Sequence, residues 1–168
     1  MGSERYQARN RDSYARDSGA RPALNSALRR NHRSAAVAVL DPIRHNLVAF
    51  GGISDNWIVQ NTWTWKAANW ALRTPATTPP PLYFTTGAFD QALKEVIVFG
   101  GGSEGVDQNT TWAWDGTNWT LLSPAVSPPL REGFGTVWYP PSHQFLIFGR
   151  SVSLTKQIFG DMWQLTGN

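Results

Sequence analysis

The chain contains, at residues 96–101, the stretch Val-Ile-Val-Phe-Gly-Gly. Copies of it stand 49 residues away on either side, as Leu-Val-Ala-Phe-Gly-Gly at residues 47–52 and as Phe-Leu-Ile-Phe-Gly-Arg at residues 145–150. Four consecutive apolar residues are typical of a short strand that is covered on both faces, and the glycines fit a sharp exit from it. The constant spacing of 49 residues indicates a repeat protein with three copies of one unit.

A tryptophan pattern follows each copy after about a dozen residues. Trp63-Thr64-Trp65 and Trp112-Ala113-Trp114 alternate an aromatic with a small residue, which is typical of a strand with one aromatic face; Met162-Trp163-Gln164-Leu165 is the third version. The first two copies continue, after a short turn, with Trp70 and Trp119, and proline clusters close both units. The third copy comes two residues late, which indicates a longer preceding loop.

Each complete unit is therefore predicted to form a four-stranded antiparallel meander, with about eleven strands in all. In the first unit we expect the strands at roughly Ser34–Leu40, Leu47–Phe50, Thr62–Trp65 and Trp70–Leu72. The units span residues 33–81, 82–130 and 131–168, after an N-terminal arm of residues 1–32. A single meander cannot bury two apolar faces, so the units are expected to stack.

The order of these features resembles the kelch repeat, over residues 33–168: strand, glycine pair, variable loop, tryptophan strand, short turn, tryptophan, proline-rich linker and arginine. The resemblance implies an all-β fold, a partial β-propeller of about three four-stranded antiparallel blades with the last one incomplete. The sequence departs from the pattern at Arg150, which replaces the second glycine, and at Leu82, where the other units have Arg33 and Arg131. Kelch units mainly bind proteins, whereas some similar propellers are sugar-handling enzymes, including copper-dependent galactose oxidase and sialic acid epimerases.

The N-terminal arm differs from the repeats in charge. Residues 1–33 carry eight arginines against three acids, whereas the remainder has seven basic and nine acidic residues. Interspersed acids and few aromatics predict that the arm is disordered or forms a short helix at Ala23–Arg30, and we expect no nucleic-acid partner for it. The sequence shows no signal peptide and no apolar run long enough to span a membrane, so the default expectation is a soluble, cytoplasmic protein.

Recurring aromatic residues are predicted to form the core, and one tryptophan stands apart from them. Trp57 lies in the variable loop of the first unit, and its counterpart in the second unit is Val106. The kelch resemblance implies that these loops and the linkers between units form one end of the propeller, where partners bind. The candidate partner-binding residues are Asp55, Asn56, Trp57, Glu104, Asp107, Arg131, Arg150 and Lys156. Two other interpretations stay open: Trp57 folds back over its own blade, and the charged residues are only solvated.

No residue pattern indicates catalysis or a metal site, so we predict a protein that is not an enzyme and has no cofactor. The chain has no cysteine, which excludes thiol catalysis and the Tyr-Cys cofactor of galactose oxidase. His45 and His143 occupy equivalent turns two units apart and cannot converge on one ion. Asp41 and Asp90 begin turns, where an aspartate side chain commonly binds its own backbone.

Three functions are compatible with this sequence. The favoured one is a kelch-like binding or scaffold module that recognises a protein or peptide through loops at one end of the propeller. The chain is alternatively a fragment of a longer kelch protein without an independent function, or a sugar-processing propeller enzyme.

Closure of the ring is a separate question, because propellers close with roughly four to eight blades and this chain encodes two complete blades and part of a third. Asn168 stands two residues before the position of the fourth-strand tryptophan. We therefore expect either homo-oligomers, most simply a two-chain ring of six blades, or a reading frame that continues into further blades.

Overall fold

The computed structural model describes residues 33–124, 126–139, 144–152 and 157–166. The arm of residues 1–32 lies outside these ranges, so its predicted disorder or short helix is not addressed. None of the described residues belongs to a helix, and hence none to a helix that could cross a membrane. Every pairing of the named strands is antiparallel. The predicted all-β architecture is confirmed.

The first unit contains six strands. They are β1 (Val37–Asp41), β2 (Asn46–Phe50), β3 (Ile53–Ser54), β4 (Trp57–Ile58), β5 (Thr62–Lys66) and β6 (Asn69–Arg73). Four of them form sheet 1, in the order β1-β2-β5-β6, as the predicted meander requires. The short strands β3 and β4 pair with each other and form hairpin 1.

The second unit repeats this arrangement. Its strands are β7 (Thr86–Asp90), β8 (Glu95–Phe99), β9 (Gly102–Ser103), β10 (Val106–Asp107), β11 (Thr111–Trp114) and β12 (Trp119–Leu122). Sheet 2 has the order β7-β8-β11-β12, and β9 pairs with β10 in hairpin 2.

The third unit forms sheet 3, in the order β13-β14-β15. Its strands are β13 (Gly135–Tyr139), β14 (Gln144–Val152) and β15 (Gln157–Thr166). The last two strands continue past Gly149 with the pairs Arg150–Phe159, Ser151–Ile158 and Val152–Gln157, so this extension, here called hairpin 3, is continuous with the sheet. The eleven strands of the three sheets are the predicted ones, but β1 begins at Val37 and not at Ser34, which instead forms a single bridge with Ile53.

The core lies between the sheets, and every sheet has two distinct faces. Face A is the face that carries Phe50 in sheet 1 and Phe99 in sheet 2, and face B is the opposite face, which carries Trp119 in sheet 2. Face A of sheet 1 packs against face B of sheet 2, where the rings of Phe50 and Trp119 lie 5.1 Å apart. This first interface contains Val37, Val39, Val48, Phe50, Leu82, Phe89, Val96, Val98, Trp112, Trp114 and Trp119. Face A of sheet 2 packs in the same way against sheet 3, where the rings of Phe99 and Phe134 lie 5.4 Å apart. Sheet 2 is thus covered on both faces, which explains its continuous apolar run.

Polar groups reinforce this stacking. Trp119 Nε1 donates a buried hydrogen bond of 2.8 Å to Thr62 Oγ1 and so ties sheet 2 to sheet 1. The hydroxyls of Thr86 and Thr136 are hydrogen bonded at 2.7 Å between sheets 2 and 3. Asp41 accepts hydrogen bonds from the two backbone amides of Ile43 and Arg44, which confirms its predicted role in the turn.

The prediction that all recurring aromatics are buried is wrong at the two ends of the stack. Phe148 is 61% exposed, although Phe50 and Phe99 at the same repeat position are fully buried. Trp65 is 37% exposed, although its counterpart Trp114 is fully buried. The reason is the same for both residues: each lies on a face that no other sheet in the described part of the chain covers.

Phe99→Ala should lower the free energy of unfolding by about 3–5 kcal/mol, because the ring is fully buried between two sheets. Urea denaturation followed by tryptophan fluorescence measures this change. The control is Phe84→Ala, which removes a ring that is 48% exposed and should therefore cost clearly less. A loss below about 1 kcal/mol for Phe99→Ala would contradict its place in the core.

Candidate functional site

All three hairpins project from one end of the stack, here called the hairpin end. The base of each of the first two hairpins is bonded to the linker that leads into the next sheet. Gly52 N donates to Leu82 O at 2.7 Å, and Gly101 N donates to Arg131 O at 3.0 Å. The linker between β6 and β7 also pairs with hairpin 2, because Tyr83 forms a bridge with Gly102. These bonds keep the hairpins and the linkers at a common end.

Hairpin 1 has a two-residue turn at Asp55 and Asn56. Their φ angles, 49° and 68°, lie in the left-handed region that the favoured hairpin turns require and that aspartate and asparagine tolerate. Trp57 follows directly, pairs with Ser54 and is 76% exposed. The structure therefore supports the interpretation in which the Trp57 indole is exposed to solvent, and not the one in which it folds back over its own sheet.

The other two hairpins repeat this feature. In hairpin 2, Val106 pairs with Ser103 and is 50% exposed. In hairpin 3, Ile158 pairs with Ser151 and is 80% exposed. Hairpins 1 and 2 thus each present one strongly exposed apolar side chain opposite a serine, and the described residues of hairpin 3 add Ile158. Trp57, Val106 and Ile158 are called the hairpin residues below.

Sequence reasoning named only one hairpin residue as a candidate. Val106 is the counterpart of Trp57 in the repeat, but a small aliphatic side chain does not by itself indicate a binding residue. Ile158 stands 52 residues after Val106, so neither the 49-residue spacing nor the two-residue shift of the third tryptophan strand points to it. The pairing with a serine is visible only when the strand register is known.

The predicted candidates divide into exposed and buried residues. Asp55, Asn56 and Glu104 are exposed beside the hairpin residues. Asp107 and Arg131 are only 2% and 0% exposed, so the expectation that they decorate the hairpin end is wrong. For Arg150 the structure describes the backbone pairing with Phe159 only, and Lys156 lies outside the described residues.

Arg131 is buried because it is part of the framework of hairpin 3. Its guanidinium donates two hydrogen bonds to the Asp161 carboxylate, at 2.9 and 3.1 Å, and a longer one to Gly149 O. The same group lies over the ring of Phe159, 4.8 Å from its centroid. Hydrogen bonding to Arg131 lowers the pKa of the Asp161 carboxyl, and Trp163 Nε1 donates a further hydrogen bond that acts in the same direction.

Arg33 has the same structural role in the first unit as Arg131 has in the third. It donates to Gly51 O at 3.0 Å and to Asn61 O at 3.4 Å, which are the positions of Gly149 and Asp161 in the repeat. Burial lowers the pKa of the Arg33 guanidinium. In the second unit Leu82 takes this position and is buried in the first interface, so that unit replaces the arginine contacts by apolar packing. The arginine of the repeat is therefore a structural residue in this chain.

A half-buried tyrosine lies at the base of hairpin 2, where Tyr83 and Gly102 exchange two backbone hydrogen bonds, of 3.0 and 2.8 Å. A Cβ atom on Gly102 would lie 2.5 Å from Tyr83 Cζ and 2.8 Å from a carboxylate oxygen of Glu132, so a larger residue there would require these side chains to move. Burial raises the pKa of the Tyr83 hydroxyl, and the charges of Glu132 and Asp107 raise it further. A tyrosine with a raised pKa stays protonated at neutral pH, which suits a packing role better than proton transfer.

Within the ranges that the structure describes, no group of three or more His, Cys, Asp or Glu side chains is placed to hold a metal ion. His45 lies in the turn between β1 and β2, at the opposite end of the strands from hairpin 1, and His143 is outside the described residues.

Comparison with known proteins gives no match: no family model fits the chain, and no curated protein is significantly similar to it in sequence. The resemblance to kelch repeats rests on the residues of this chain alone.

Asp161→Asn should lower the free energy of unfolding at pH 7 by about 1 kcal/mol, a small value because the carboxylate is 37% exposed and water screens the ion pair. Because folding lowers the pKa of Asp161, the stabilisation is complete above the pKa in the unfolded chain and is lost as the pH falls through the lower folded pKa. The difference between wild type and variant should therefore shrink below about pH 4.

Urea titrations between pH 7 and pH 2 would measure this effect. Glu104→Gln is the matched control, since Glu104 is an exposed carboxylate at the tip of hairpin 2 and should give a curve parallel to wild type. A constant difference between Asp161→Asn and wild type over the whole pH range would contradict the role of the ion pair.

Proposed function

We propose that the chain is a kelch-like β-propeller segment that binds a protein or peptide through its hairpin end. The observation that carries this proposal is that every hairpin exposes an apolar side chain among its described residues, and that the largest of these, Trp57, is 76% exposed. A solvated tryptophan contributes little to the stability of its own fold. At binding surfaces it is among the residues that contribute most to affinity.

The hairpins are held in a manner that favours binding. Hairpins 1 and 3 are fixed at their bases by Arg33 and Arg131, and hairpin 2 by the contact of Tyr83 with Gly102. Side chains on a fixed backbone lose less conformational entropy when a partner binds them. The hairpin residues are thus presented by a supported surface.

The polar neighbours suggest the chemistry of the partner. Asp55 and Glu104 stand at the tips of hairpins 1 and 2, close in sequence to Trp57 and Val106, and they are exposed. An apolar side chain flanked by a carboxylate suits a partner with an apolar pocket and basic residues at its rim.

The kelch interpretation is supported by the arrangement of the sheets. Sheets 1 and 2 are four-stranded antiparallel meanders with equal registers, and successive sheets pack through equivalent faces. Their first strands are neighbours, since β1 contacts β7 and β7 contacts β13. This is the order expected for the inner strands of consecutive propeller blades. Nothing in the described residues favours the sugar-processing alternative.

Trp57→Ala should weaken the binding of peptides that are selected on the wild-type chain from a random display library. We expect a loss of at least tenfold in affinity, because tryptophans at the centre of interfaces commonly contribute more than about 1.4 kcal/mol. The thermal midpoint should change by less than about 2 °C, since the side chain is exposed.

Fluorescence anisotropy of labelled peptides provides the affinities. Ile43→Ala is the control, because Ile43 is also an exposed apolar residue, at 49%, but lies in the turn between β1 and β2, at the end of the strands opposite to the hairpins. Peptides that bind Trp57→Ala as tightly as wild type would contradict the proposal, as would a library that yields no binder.

A further inference from the structure

The two interfaces between sheets are formed by the same positions of the repeat. In each, face A of one sheet covers face B of the following sheet: Phe50 of sheet 1 contacts sheet 2, and Phe99 of sheet 2 contacts the segment leading into sheet 3. An interface of this kind pairs two different surfaces, so a stack of three sheets contains two interfaces and leaves one surface of each kind that no other described sheet covers.

The surface left at one end is face A of sheet 3. The strand register places Val137, Tyr139, Phe148 and Met162 together on it. Val137 and Tyr139 lie on the same side of β13 as Gly135, which pairs with Phe148, and Phe148 in turn pairs with Met162. These four side chains are between 48% and 68% exposed. Phe148 stands at the repeat position of Phe50 and Phe99, so this face has the pattern of one that is buried elsewhere in the chain.

The surface left at the other end is face B of sheet 1. Leu40 and Trp65 lie on it and are 63% and 37% exposed. The equivalents of Leu40 and Trp65 in sheet 2 are Phe89 and Trp114, which are 9% and 0% exposed because sheet 1 covers them. Neither end face carries a charged residue among those named.

We propose that the occupant of each end face is a second copy of this chain, docked head to tail, with face A of sheet 3 on face B of sheet 1 of the partner. The two surfaces match because each repeats the pattern of a face that already meets the other kind inside the chain. Two copies then form two identical interfaces and close on themselves, which gives six sheets in a ring. Closure rests on the propeller arrangement proposed above, whereas the docking of the faces does not depend on what the hairpins bind.

The mass of the full chain in solution tests this proposal. Sedimentation equilibrium across a wide concentration range should show a species of twice the 18.7 kDa chain mass. A chain that stays monomeric at every concentration would overturn the proposal and would favour another occupant for these faces. Oligomers whose mass keeps growing with concentration would overturn closure by two copies.

Two variants test the pairing of unlike faces. Phe148→Glu and Leu40→Glu each place a charge on one end face, at positions more than 60% exposed in the single chain, so both should fold and both should be monomeric. An equimolar mixture should recover a dimer that is weaker than wild type, because face A of the Leu40→Glu chain can dock on face B of the Phe148→Glu chain, whereas the second interface would bring the two glutamates together. Val126→Glu, which lies on neither face, is the control and should remain dimeric.

A dimer of Leu40→Glu as stable as that of wild type would overturn the head-to-tail arrangement, since it would indicate pairing of sheet 3 with sheet 3. Folding of every variant is checked by near-ultraviolet circular dichroism. Peptide binding by the hairpins is measured on the same proteins, so that failure of this proposal can be told apart from failure of the proposed function.

Discussion

The structure depends on one constraint. Its sheets are apolar on both faces, and an apolar face is removed from water only where another sheet packs against it. Sheet 2 meets this condition inside the chain, and its strands β8 and β11 are almost wholly buried. The interfaces are made by side chains at a constant place in the repeat, with Phe50 and Phe99 fully buried at their centres. Stacking therefore sets the order of the units, the burial of the aromatics and the position of the linkers.

The hairpin end follows from the same stacking. The linkers must run from the outer strand of one sheet to the first strand of the next, and this path brings them beside the glycine pairs. There Gly52 and Gly101 hold the linkers by backbone hydrogen bonds, with φ angles of 92° and 95° that favour glycine. Arg33 and Arg131 complete the bases of their hairpins. The exposed hairpin residues thus stand on the part of the chain where successive units are joined.

Much of this fold could be predicted from the sequence, because the repeat states which residues are equivalent. The eleven strands of the sheets, the buried Phe50 and Phe99 and the turn made by Asp41 all follow from spacing and local chemistry. Residues at equivalent positions of the repeat can nevertheless have different surroundings, and for this reason the sequence wrongly predicts that Phe148 lies in the core. Likewise, Arg131 was placed on the surface because its partner Asp161 lies 30 residues away, in the unit whose register is shifted. The short hairpins were missed because two-residue strands leave too little periodicity to detect.

Two groups of exposed apolar residues in this protein have different physical origins. Phe148 and Trp65 are exposed at positions that are buried in another unit, so their exposure reflects the lack of a neighbouring sheet among the described residues. Trp57 and Val106 are exposed at equivalent positions in two units whose sheets are packed against each other, so stacking does not account for them. Adding further sheets at either end would bury the first class and leave the hairpin residues in solvent. The assembly and the recognition proposed above would therefore use separate surfaces, and a substitution on one surface would leave the other intact.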